Sequence, residues 1–119
     1  MNQMTLQEMT DKVRQFCEER DWDQYHNPKD LAIGLSTESN ELLDIFRFKD
    51  EEQMQEIFSD EKKRTHVKEE CADILFFLLR FAQMNDLDLG ECLDEKIVKN
   101  AEKYPVESSK GRKEKYDEL

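Results

Sequence analysis

Two short acidic pairs are the residues of this chain best equipped to do chemistry. "ESNE" sets Glu38 and Glu41 three residues apart, and "ECAD" repeats the spacing with Glu70 and Asp73. On a helix, side chains so spaced are neighbours, with Cβ atoms about 5–6 Å apart. A helical wheel at about 100° per residue puts Leu31, Leu35, Leu42 and Ile45 in one apolar stripe, with Glu38 inside it and Glu41 at its edge. A second stripe holds Ile74, Leu78 and Phe81; Glu70 falls between Phe77 and Phe81, and Asp73 lies about 60° further round, beside Arg80. An isolated buried carboxylate is costly to desolvate, so these groups must take up protons or be neutralised by cations. Several oxygen donors with no nearby His or Cys suit a hard cation, Mg²⁺ or Mn²⁺. Mg²⁺ keeps open coordination positions that recruit phosphates, so the chemistry on offer is the metal-assisted handling of a polyphosphate. One E-x-x-E among 29 acids is unremarkable; two inward-facing pairs are harder to dismiss.

The pairs need two helices packed against each other, and the chain reads as a helical bundle throughout. Thr5 caps a first helix with Leu6, Met9, Val13, Phe16 and Cys17 at helical spacing. Asn27 followed by Pro28 starts the second, predicted to run to about Phe48. The polar connector "KDEEQMQEIFSDEKK" holds a short helix around Met54, Ile57 and Phe58. Ser59 or Asp60 opens the next long helix, which reaches about Met84 and is apolar nearly all round from Ile74 to Ala82, hence central. Asp88 or a neighbour caps the last helix, which Pro105 stops after Lys103 or Tyr104. On it Lys96, Asn100 and Lys103 cluster on one side and could hold phosphate oxygens. The expectation is an all-α fold with one helical domain over residues 1–104 and an extended or mobile tail over 105–119.

Composition narrows the function. The 119 residues carry a formal charge of −11, which opposes general affinity for nucleic acid or an anionic membrane. Charged residues make up 39% of the chain and hydrophobic ones 37%, so a single copy has a modest core and association between copies is expected. "ILFFLLRFA", the longest apolar run, is interrupted by Arg80 and far shorter than the roughly 20 residues that span a bilayer. The opening "MNQMTLQEMTDK" lacks an apolar signal region, and Cys17, Cys71 and Cys92 show no CxxC spacing. Free thiols in the cytoplasm are the expected state.

The order E-x-x-E, then E-x-x-D, together with "ERDWDQYHNPKDLA", "ESNELLDIFRF", "EECADILFFLL" and "KNAEKYPVESSKGRKEKY", resembles the MazG-like all-α nucleoside triphosphate pyrophosphohydrolases, within them the dCTP pyrophosphatase branch. The match runs from about Phe16 to Leu119. The resemblance implies a four-to-five-helix bundle completed by oligomerisation, as a dimer or a tetramer. It also implies Mg²⁺-dependent cleavage between the α and β phosphates of a nucleoside triphosphate, giving a monophosphate and pyrophosphate in a nucleotide-pool house-cleaning role. Glu38, Glu41, Glu70 and Asp73 then become the metal ligands and catalytic carboxylates. Lys96 and Asn100 match positions near the phosphates, while His26, Phe48 and Phe77 match positions lining the nucleoside pocket, with Trp22 and Tyr25 in the same wall. Lys115 and Tyr116 match a "KY" in the tail that reaches phosphate and nucleoside at a site shared with another subunit.

There are departures from the pattern. Thr37 stands where many members carry an extra Glu, Phe48 where the branch commonly has Trp, and Phe77 where it has Tyr, which deletes a hydroxyl. Three rivals follow from the residues. A non-catalytic helical interaction module would spend the acids on partner lysines. A di-iron bundle is set aside, because neither His26 nor His66 has a Glu three residues before it. The same enzyme acting on dUTP, a damaged nucleotide or phosphoribosyl-ATP differs only in substrate.

Overall fold

The computed structural model describes residues 3–113, and among them every regular element is a helix. They are α1 (Leu6–Glu19), α2 (Pro28–Phe46), α3 (Glu51–Ser59), α4 (Glu61–Met84), α5 (Leu89–Lys103) and the single turn α6 (Val106–Ser109). Side-chain caps decide where the five long ones start. Thr5 and Glu8 form a reciprocal capping box on α1, each bond 3.1 Å. Asn27 accepts from the Asp30 amide at 2.9 Å, with Pro28 at the first helical position of α2. Asp50 and Gln53 box α3, Asp60 caps α4, and Asp88 caps α5. These side chains satisfy amides that have no partner within the helix.

Three boundaries differ from the sequence reading. Helix α2 stops at Phe46, because Phe48 adopts a left-handed conformation (φ 64°) that turns the chain out of the helix. The polar connector is largely the nine-residue α3. The expected tail begins with the helical turn α6.

Two compact units divide the chain, one ending at Asp86 and the other starting at Leu87. In the first, α4 is the central helix and packs against α1, α2 and α3. Its apolar core is small: Cys17, Leu31, Ile57, Val67, Leu79 and Ala82 are buried. Helix α2 closes on α4 through Gly34, where an added Cβ would stand 2.4 Å from Cε1 of Phe77. Only the missing side chain permits this approach. The second unit holds α5, whose Leu93, Ile97 and Val98 are exposed, and α6. Among the described residues no helix is long and apolar enough to cross a membrane.

Candidate active site

Packing of α2 on α4 turns the two acidic pairs toward each other. Glu38, Glu41 and Glu70 each bring one carboxylate oxygen to within 4.8 Å of the others. Glu70 is 8% exposed, and Oε2 of both Glu38 and Glu70 is buried with no hydrogen-bond partner among the described residues. The carboxyl of Glu38 is pushed up to about 7. Burial is the main cause, followed by proton-sharing contact with Glu41 and Glu70 and then the charges of Glu41 and Asp73. Asp73, exposed and about one turn beyond Glu70, acts on Glu38 through its charge but is not one of the three that meet.

Three converging carboxylates with two orphaned buried oxygens are what a hard cation would satisfy. Their spread is of the order of two metal–oxygen bonds of about 2.1 Å each. Among the described residues no donor compensates those orphaned oxygens, so the residues fit a divalent metal. His66, set aside above as a di-iron ligand, is an addition to the acid cluster. Its ring is exposed, yet Nε2 lies 3.4 Å from Oε1 of Glu70, one helical turn on. The i, i+4 spacing was the available signal.

Cavities open on two sides of the acids. Glu41 and Glu70 line one of about 560 Å³, whose walls also carry Lys49, Lys63 and His66. Asp73 lines a second, of about 450 Å³, with Phe16, Phe76, Phe77, Val13 and Lys12. The aromatic wall continues from that second cavity. Phe76 meets Phe77 and Phe16 edge-on, each at 5.8 Å, Phe16 meets Trp22 at 5.6 Å, and Trp22 meets His26 at 5.9 Å. Trp22, His26 and Phe77 therefore belong to one run of rings. Sequence reasoning missed Phe16 and Phe76, whose helical spacing had suggested only core packing.

Arg80 anchors the far end of that run. Its side chain is 1% exposed, and it donates from Nε to Nδ1 of His26 at 2.9 Å, from Nη1 to Gln83 at 2.7 Å, and from Nη2 to Asp23. Phe48 stands apart from these rings. It is 90% exposed in the α2–α3 connection, with the Arg47 guanidinium 4.7 Å above its ring. Tyr25 is exposed in the α1–α2 loop. Lys96, Asn100 and Lys103 sit on α5 in the second unit, at a spacing that gives them one helical face. Lys115 and Tyr116 lie outside the described residues.

Comparison with known proteins agrees with this arrangement. A family model described as the MazG-like family matches residues 33–119. The chain is 32% identical to dCTP pyrophosphatase 1 of Mus musculus over 115 residues, covering 97% of this chain and 68% of that protein. The Homo sapiens protein of the same name is 30% identical over the same coverage. A crystal structure of a pyrophosphatase from Archaeoglobus fulgidus superimposes with a TM-score of 0.78 at 34% identity, covering 88% of this chain and 96% of the other.

Proposed function

The chain belongs to the MazG-like family and is a nucleotide pyrophosphohydrolase; from that premise we propose that it cleaves the α–β phosphate bond of a deoxynucleoside triphosphate, a dCTP-like pyrimidine, in a Mg²⁺-dependent reaction. The observation that carries the reading is the meeting of Glu38, Glu41 and Glu70 within 4.8 Å, with buried oxygens that no group among the described residues satisfies. These three, joined by Asp73, would hold Mg²⁺ or Mn²⁺. The bound metal supplies Lewis acidity, a lowered pKa for water and compensation of phosphate charge.

The protein's own groups do the rest. A water attacking phosphorus must lose a proton, and Glu38 or Glu41 accepts it, so no covalent nucleophile is needed. In the metal-free protein, burial and the neighbouring acids push the Glu38 carboxyl up to about 7. The cavity shared by Glu41, Glu70, Lys49 and Lys63 suits the polyphosphate; Lys96, Asn100 and Lys115 are assigned to the phosphates by family position, and Lys103 by the helical face it shares with Lys96 and Asn100. The aromatic cavity beside Asp73 suits the base, with Phe77 in its wall and Trp22 and His26 behind it. Phe48 and Tyr116 complete the nucleoside contacts. A bulky residue held at positive φ and exposed to solvent is a strained feature of the kind found where a chain receives a ligand.

Association between copies is part of the proposal. Ile33 and Leu43 on α2 and Leu75 and Leu78 on α4 are exposed apolar side chains that a dimer or tetramer would cover. The protein works on free nucleotide in the cytoplasm, away from membranes and nucleic acid. Purified protein should release pyrophosphate from a panel of dNTPs with Mg²⁺ or Mn²⁺ and not with EDTA. Glu41→Gln and Asp73→Asn should each lower kcat/KM by at least about 100-fold, since even groups that merely orient metal ligands are worth about 10–100-fold. Turnover surviving either change would remove the assignment.

A further inference from the structure

We propose that Arg80 is a positioning residue for the nucleoside end of the site: it fixes His26 as the Nε2–H tautomer and ties the Trp22–His26 loop to the helix that carries Glu70 and Asp73. The inference rests on the reading that Trp22 and His26 wall the nucleoside.

The tautomer follows from the donor inventory. A guanidinium has five N–H donors and no acceptor. The 2.9 Å bond from Arg80 Nε to Nδ1 of His26 therefore requires a lone pair on Nδ1, and the neutral ring carries its proton on Nε2. Burial first, and then the Arg80 charge, hold His26 below its ordinary value, while Asp23 opposes them. The ring is thus neutral at pH 7, with its one acceptor occupied and one donor left to offer. Such a ring can donate to an acceptor on a ligand, and cannot receive an amino group.

Positioning follows from the shared helix. Asp73 and Arg80 are seven residues apart on α4, so they lie on nearly the same face about 10 Å apart. The acids are at one end of this rod and the loop anchor is at the other. Through Asp23 and His26 the anchor reaches across more than 50 residues of sequence to the α1–α2 loop. Trp22, packed edge-on against His26 and Phe16, passes that placement to the wall of the aromatic cavity. Burial of an Arg with each of its three donor positions engaged makes the placement rigid.

Two readouts test this. In unliganded, ¹⁵N-labelled protein, long-range proton–nitrogen correlations of His26 should show Nδ1 bare and Nε2 protonated near neutral pH, whether or not any nucleotide is turned over. With dCTP and Mg²⁺, Arg80→Met and Arg80→Lys should raise KM about tenfold, the loss expected of one charge-assisted bond, and leave kcat within about threefold. Asp23→Asn, at an exposed position, should keep the tautomer and shift KM less. A proton on Nδ1 in the wild type overturns the proposal, as does a folded Arg80→Lys with unchanged KM or with the loss entirely in kcat. If the wild type proves inactive, the activity reading fails, and the tautomer still decides the assignment to Arg80.

Discussion

Helix α4 buries one charged side chain near the middle of its length and another near its end, and the protein treats them in opposite ways. Arg80 is 1% exposed and all three of its donor positions find partners in His26, Gln83 and Asp23. Glu70 is 8% exposed and meets two more carboxylates, with one of its oxygens facing no donor at all. Desolvation is unfavourable for both. At Arg80 the fold itself compensates that cost, so the charge acts as structure. At Glu70 the described residues offer only the exposed His66 ring, to Oε1, and nothing to Oε2, so the charge suits a cation from solution. Burial alone does not mark a functional group; burial without a partner does.

The contrast can be broken at either end. The largest effect belongs to the acid end, where Glu70→Gln should cost at least about 100-fold in kcat/KM, read by pyrophosphate release, because the metal loses a ligand. At the Arg80 end the loss should appear as stability. Arg80→Met should lower the unfolding free energy by about 1.5–3 kcal/mol, read by denaturant unfolding, as one set of charge-assisted hydrogen bonds disappears. Between these two regions, Gly34→Ala forces Phe77 to move off α2. It should cost about 1–3 kcal/mol of stability and disturb the aromatic cavity.

The last contrast is a pH trend set at the acid end by Glu38. Glu38 in the folded protein holds its proton up to about 7, against an ordinary value of 4.5 in the unfolded chain. The folded state therefore binds more protons across that interval, and metal-free stability should fall as pH rises from 4.5 to 7. Glu38→Gln should flatten this slope in thermal unfolding without metal. Arg80→Met should leave the Glu38 contribution in place and change only the opposing one of His26, which Arg80 helps hold below its ordinary value.

Much of this arrangement was legible in the chain. The caps Thr5, Asn27, Asp60 and Asp88 and the stop at Met84 follow from local chemistry, and the structure has all of them. The acidic pairs could be placed on facing helices because helical periodicity fixes which side each carboxylate takes. Local chemistry also marks where the short helix of the polar connector starts: Asp50 and Gln53 form a capping box. The rest depends on distance. Nothing near Arg80 in "ILFFLLRFA" says that its partners lie more than 50 residues earlier, although a lone charge in the most apolar run does ask for one. Family position groups Phe48 with Phe77, and only the structure shows the left-handed backbone that holds Phe48 apart from the other rings and exposed. Separation of Asp73 from the three meeting acids is a matter of side-chain reach that i, i+3 spacing alone does not resolve.

The most direct measurement is the melting temperature as a function of Mg²⁺ without nucleotide, compared between the wild type and Glu70→Gln. The wild type should gain about 2.7 kcal/mol of stability at a metal concentration 100 times its dissociation constant, and the variant should show almost none of that gain. A wild-type curve that ignores Mg²⁺, or one that rises equally in the variant, would contradict the assignment of the buried acids as a metal site.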